Sequence, residues 1–221
     1  MKFNRSFMII AFVVFCIIGF FIVYNEKNKK LNRTLDTVPF SEIQKLQQHE
    51  FSKIKGKVFT QEELTAPLSK KKCAYYHIKI QEEKKSGKNL YWSTIYEDEK
   101  VLDFLVKSNN EYALIKPELD PKNFAINFTT KDSIAMSTPK NSKEEIQAFL
   151  EQYNTKAQGI IGMGLKIKAT EVIITKGDKI AVAGVTNLET LENSIPDYSY
   201  SKVFSLQSNE KHQLILFEQS E

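Results

Sequence analysis

The hydropathy pattern begins with an uninterrupted apolar block. From Phe7 to Tyr24 the chain reads FMIIAFVVFCIIGFFIVY, 18 residues without a charge. At about 1.5 Å per residue this block spans about 27 Å, the thickness of a bilayer's hydrocarbon core. The pattern predicts one uncleaved transmembrane helix over 7–24, a short flank at 1–6 and a polar, basic linker at 25–38. A secretory signal fits less well. The apolar run is longer than a usual signal core, and Asn25-Glu26-Lys27-Asn28-Lys29-Lys30 stands where a small-x-small cleavage site would be. Phe15 before Cys16 is too bulky for a lipoprotein signal.

After Pro39 the period changes twice. Ile43, Leu46 and Gln47 fall at helical spacing and predict a short helix. Ile54 and Val58 around Gly56 then predict a strand with a tight bend. Ala74, Tyr76, Ile78 and Ile80 alternate with Cys73, Tyr75, His77 and Lys79, the period of a half-buried strand. Gln81 to Asn89, containing Gly87, reads as a hairpin loop, and the β-forming run Leu90–Tyr96 as its second strand. Short strands follow at 101–106 and 112–115, then Pro117 and Pro121.

One amphipathic helix interrupts the β pattern, at about 142–157. Ser142 and Glu145 form a capping box, and Ile146, Phe149, Leu150 and Tyr153 share one face. Gly159 ends it, and strands resume at 165–175, 179–185, 203–206 and 213–217, with Gly177-Asp178 as a tight turn. The expected fold is therefore mainly β (α+β). It comprises an anchor followed by an antiparallel barrel-like or sandwich-like domain over 39–221, which can divide into two β subdomains near 142–164.

Charge refines this picture. The chain carries a net +4. Residues 1–33 hold six basic side chains and one acid, so the remainder has 25 basic against 26 acidic residues, a net of −1. The basic excess flanks the anchor, where cations meet anionic headgroups, and no nucleic-acid footprint falls on the folded domain. Two basic side chains and the α-amino group precede the anchor and four basic side chains follow it, a lean of one charge toward a cytoplasmic domain that leaves the side undecided. The Lys/Asn/Ile-rich, glycine-poor composition has a bacterial character.

Candidate chemistry is sparse. The only cysteines are Cys16, inside the apolar block, and Cys73, so neither a disulfide framework nor a four-ligand cysteine/histidine zinc site is available. Cys73 follows Lys70-Lys71-Lys72, which could lower its pKa, and a cysteine hydrolase or transferase would pair it with His77 or His212. A small core residue opening an apolar strand is the plainer reading. His49, His77 and His212 form no ligand spacing and read as surface residues. Gly159, Gly162 and Gly164 have the wrong order for a dinucleotide fingerprint and precede a strand, so they read as a turn. Their apolar neighbours, Met163 among them, leave room for a loop that touches lipid beside the anchor. The Asp98-Glu99 pair fits a polar turn, and Glu144-Glu145 complements a helix dipole. No cofactor or metal is implied.

Leu64-Thr65-Ala66-Pro67-Leu68-Ser69 followed by Cys73-Ala74-Tyr75-Tyr76 resembles the GIDE, or beside-a-membrane (BAM), domain of membrane-anchored ubiquitin ligases and their bacterial relatives. Gly56 upstream, Trp92 downstream, and Glu171, Gly177, Asp178 and Gly184 continue the likeness over about 39–186. The resemblance implies a membrane-proximal module. It carries over no catalytic residue, because ligase activity in such proteins belongs to a zinc-bound RING, and no cysteine follows Cys73 here. Many relatives also carry a second hydrophobic span after the domain, and none is evident here. The expected function is a non-catalytic binding or scaffolding module that confines a protein partner at the bilayer surface. The rival is the Cys73 enzyme. A third expectation is an accessory subunit of a membrane protease or channel.

Overall fold

The computed structural model describes residues 35–120, 122–127, 136–137, 148–152, 167–191 and 201–218. The predicted anchor, most of the 142–157 helix and the Gly159–Gly164 loop lie outside them. Among the described residues no helix is long and apolar enough to cross a membrane. Ser41–Glu221 form one compact unit.

This unit is mainly β. Its strands are β1 (Phe51–Phe59), β2 (Leu64–Thr65), β3 (Lys72–Cys73), β4 (Tyr75–Ser86), β5 (Asn89–Val101), β6 (Phe104–Ser108) and β7 (Glu111–Ile115). They continue as β8 (Phe124–Asn127), β9 (Met136–Ser137), β10 (Ile167–Ile174), β11 (Lys179–Thr190), β12 (Lys202–Gln207) and β13 (Leu214–Glu218). A 3-10 turn at Ile43–Lys45 stands where the short helix was expected, burying Ile43.

Five strands close into a barrel in the order β1-β6-β7-β12-β11 and back to β1. Within this barrel the first three strands form a meander, the third lies parallel to the fifth, and the first pairs with the fourth. That is the Greek-key connectivity of an OB-type barrel. Alternate residues fill the interior: Ile54 and Val58 from β1, Val106 from β6, Ile115 from β7, Val182 from β11 and Leu206 from β12. The expected antiparallel pairing fails at two places, since β7–β12 and β8–β13 are parallel. Alternation records which face of a strand is buried and carries no information about strand direction.

Two glycines let the barrel close. At Gly56, β1 passes from β11 to β6, and a Cβ there would lie 2.3 Å from the Lys107 carbonyl oxygen. At Gly184, β11 passes from β13 to β12, and a Cβ would meet Leu214 Cδ1 at 2.7 Å. At Gly56 close backbone approach, not positive φ, excludes a side chain; at Gly184 the tight contact is with the end of the Leu214 side chain, and the nearest backbone atom, the Gln207 carbonyl oxygen, is at 3.2 Å.

A second sheet, β5-β4-β10-β9, is inserted into the barrel's connections. It has its own core of Tyr76, Ile78, Ile80, Ile167 and Ala169, covered by Ala66, Cys73, Phe149 and Leu150. Residues 148–152 are helical, so the predicted apolar face is seen at Phe149 and Leu150, with Phe149 edge-on to Tyr96 at 5.3 Å. Adjacent Tyr75 and Tyr76 point to opposite sides of β4, one into the barrel core and one into the second core.

The expected loop at 81–89 is corrected. β4 runs on to Ser86 and pairs with Asn89, so only Gly87-Lys88 form the turn, with Gly87 at φ +61°. Beyond the core both faces of a ribbon meet water, so its charged and polar residues look like a loop in hydropathy alone. The single strand expected at 101–106 is also divided: β5 ends at Val101 and β6 starts at Phe104, with Leu102-Asp103 between.

Candidate functional site

The residues of the Leu64–Tyr76 signature come together around Glu171. The β2–β3 hairpin folds over the second sheet, its turn closed by Lys70 N–H to Ala66 O at 3.0 Å, with Lys70 at φ +59°. Glu171 on β10 is buried, and its carboxylate accepts the Leu68 N–H at 2.7 Å and the Ser69 N–H at 2.9 Å. Leu64, Leu68, Cys73 and Tyr76 pack into the same core. This arrangement is a backbone clamp. Glu171 satisfies two amides that the turn cannot pair itself.

Cys73 lies inside the clamp. It is 1% exposed, with its Sγ 4.0 Å from the Leu64 carbonyl oxygen. Burial first, then the Glu171 charge, pushes its thiol up to about 11 despite the lysine triplet before it. The thiolate that a nucleophile needs is thereby disfavoured.

The structure does not bring Cys73, His77 and His212 together. Cys73 packs with the face of β4 that carries Tyr76, Ile78 and Ile80, whereas His77 lies on the opposite face beside Glu97, at 2.9 Å. His212 stacks on Phe51 with ring centroids 4.6 Å apart. His49, at φ 64°, donates its N–H to the Thr186 carbonyl, and the buried Thr186 hydroxyl bonds the Gln47 and Glu50 carbonyls.

The remaining signature residues are structural or exposed. In the 175–178 turn Gly177 has φ +95°, and Asp178 accepts the Thr175 N–H at 2.6 Å. The turn is stitched to β1, since Gly177 N–H reaches the Val58 carbonyl and Val58 N–H the Asp178 carbonyl. Pro67 lies in the clamped turn and is buried. Trp92 is exposed on β5. The Asp98-Glu99 pair, expected at a turn, sits within β5 and accepts tyrosine hydroxyls: Tyr76 to Asp98 at 2.8 Å and Tyr75 to Glu99 at 2.7 Å. Burial and the Glu99 carboxylate hold the Tyr75 phenol far above its ordinary range.

A cleft that the sequence did not reveal opens at the end of the barrel. It encloses about 310 Å³ and is lined by Phe59, Leu102, Leu114, Asp103, Lys116 and Glu189, among others. Lys116 Nζ lies 3.0 Å from Glu189 Oε2, and the fully buried Ser205 hydroxyl donates to Glu189 Oε1 at 2.6 Å. Burial raises the Glu189 pKa, but the Ser205 hydrogen bond and Lys116 outweigh it and hold the carboxyl below its usual range. Asp103 shifts the other way, raised by burial and by the Glu189 charge against the pull of Lys116. The cleft thus presents an ion pair and a carboxyl of raised proton affinity beside apolar Phe59, Leu102 and Leu114. Its charged residues come from the ends of separate strands, so no local motif announces them. The one available signal is Asp103 interrupting the apolar run Val101-Leu102-Asp103-Phe104-Leu105-Val106.

Among the described residues no group of three or more His, Cys, Asp or Glu side chains is placed to hold a metal ion. The chain matches no protein-family model, no curated protein and no solved structure at a significant level.

Proposed function

We propose that the chain is a membrane-tethered, non-catalytic binding module of the GIDE/BAM kind, holding a protein partner beside the bilayer through the barrel-end cleft. The observation that carries this reading is the cleft itself. It is concave, lined about equally by apolar residues and by polar or charged ones, and it lies at an end of an OB-type barrel, where loops between strands commonly form ligand sites. At about 310 Å³ it is at the small end of the range for a small-molecule site and suits one or two side chains of a docked partner. Connectivity alone implies no function, so the weight rests on the cleft's chemistry. The buried, high-pKa thiol of Cys73 supports the non-catalytic half of the reading. The uncharged 7–24 block supports the tether, and its basic flanks suit a cell membrane with anionic headgroups.

Site-specific photocrosslinking in intact cells tests this. A photoreactive residue replacing Gln61 in the cleft wall is expected to give one adduct of discrete mass, abolished by Lys116→Glu. The same residue at Lys122, outside the cleft, is the control. No adduct from Gln61, or the same adduct from both positions, would overturn the reading.

A further inference from the structure

We propose that the tip of the β4–β5 hairpin is a second membrane contact, which inserts Leu90, Tyr91 and Trp92 at the headgroup level of an anionic lipid surface. Glu82 is the last buried residue of β4 and the last that pairs with β10. Beyond it the ribbon continues through four register pairs, Glu83↔Trp92 to Ser86↔Asn89, about 14 Å along the strand, with no third strand beside it among the described residues. A two-stranded ribbon alone is marginal in water and would ordinarily be polar. This one places Leu90 at 60%, Tyr91 at 49% and Trp92 at 43% exposure, side by side.

Charge and geometry select lipid as the occupant. From Glu83 to Trp92 the ribbon has three lysines and one acid, Glu83 at its base opposite Trp92. Lys84 is turned back to Glu82 at 2.8 Å, which leaves Lys85, opposite Leu90, and Lys88, in the turn, at the tip. Tryptophan and tyrosine favour the membrane–water interface, and nearby lysines attract anionic headgroups. Strand alternation puts Leu90 and Trp92 on one face of the ribbon and Tyr91 on the other. A protein groove would cover one face, whereas a fluid interface surrounds both. Among the described residues no third strand pairs with the tip, so its edge N–H and C=O groups restrict it to the hydrated boundary layer, outside the hydrocarbon core.

The inference rests on the tether for local concentration: the 14-residue linker at 25–38 can extend no more than about 50 Å. Trp92 is the sole tryptophan, so its fluorescence reports the tip alone. The full chain is reconstituted into phosphatidylcholine vesicles with or without phosphatidylglycerol, then floated and probed with brominated lipid and iodide. The expected result is a blue-shifted Trp92 in anionic vesicles, quenched by brominated lipid and several-fold less accessible to iodide. Lys85→Glu/Lys88→Glu should return it to the zwitterionic level, and Leu90→Ser/Tyr91→Ser should abolish the blue shift. Trp92 open to iodide and untouched by brominated lipid in a floating chain would overturn the hairpin inference alone. Protection from iodide without bromine quenching would also overturn it, in favour of a protein cover. A chain that fails to float with zwitterionic vesicles would overturn the tether, while quenching in added anionic vesicles would still decide the hairpin.

Discussion

Replacing Glu171 with alanine should release the Leu64–Cys73 hairpin from the second sheet while the barrel stays folded. The substitution removes the carboxylate that accepts the Leu68 and Ser69 amides, at 2.7 and 2.9 Å. An amide left unpaired in a buried setting costs about 1–3 kcal/mol, about 2–6 kcal/mol for two; because these two bonds are partly buried and water recovers some of that, the pair costs about 2–5 kcal/mol. That free energy is local, because the hairpin joins the rest of the unit through the clamp and the packing of Leu64, Leu68 and Cys73. Sub-global opening of such an element has its own free energy below that of global unfolding.

The buried thiol supplies the assay. In a Cys16→Ser background Cys73 is the only thiol, and at 1% exposure it reacts with an alkylating reagent only after the hairpin lifts. When reclosing outpaces labelling, the rate follows the opening equilibrium, and each 1.4 kcal/mol is about tenfold. Glu171→Ala should therefore accelerate labelling by about 30-fold to a few thousand-fold. Glu171→Gln, which keeps one acceptor, should fall between it and the parent. The lost Glu171 charge does not confound this, because the open state presents an ordinary thiol in every variant. His77→Ala, on the other face of β4, should leave the rate unchanged. Acceleration of less than about threefold for Glu171→Ala would refute the clamp, since two stranded amides cannot cost so little.

Three further outcomes follow from the same geometry. Gly56→Ala should destabilise the unit by about 2–3 kcal/mol, the upper part of the overpacking range, because the new Cβ would lie 2.3 Å from a backbone carbonyl oxygen; an unchanged urea midpoint would contradict the closure argument. Cys73 has its thiol raised from 9.0 to about 11, so the folded chain binds the proton more tightly than the unfolded one. The Cys73 contribution should then be complete below pH 9.0 and decline between there and about pH 11; in denaturation profiles against pH, Cys73→Ala should remove that part of the slope and leave the part that the raised Tyr75 phenol adds above the ordinary tyrosine range. Glu189 has a depressed pKa, so its contribution is present above the ordinary carboxylate range and lost as pH falls through the lowered value. In Glu189→Gln that acid-side loss should shrink in thermal melts taken from neutral to acid pH.

How far the sequence reads depends on where each residue's partner lies. In β4 alternation locates the strand because one face lies against a core, and burial leaves a period of two in hydropathy; β11 instead shows as a continuous apolar run, because Ile180 to Thr186 are buried on both faces. The same logic misreads Gln81–Asn89, where a strand continues with no core beneath it. It underreads Tyr75-Tyr76 as well, because β4 lies between two cores and both neighbours are buried. Strand direction and closure are invisible to it. They depend on β7 meeting β12 and on Gly56 and Gly184 permitting close approach, which are pairings of residues far apart in the chain.

The site divides along the same line. The clamp is half legible: Leu64 to Tyr76 form a compact block, yet the Glu171 that gives the block its meaning lies about a hundred residues away. The barrel-end cleft is assembled from strand ends at Asp103, Lys116 and Glu189, backed by Ser205, none within ten residues of another. Reading Cys73 as a nucleophile illustrates the cost of local reasoning. Three lysines beside a cysteine argue for a lowered pKa, but burial of the thiol is the larger effect and raises it, and the Glu171 charge, about a hundred residues away in sequence, adds to that rise. The exposed lysines are screened by solvent and offset little of it.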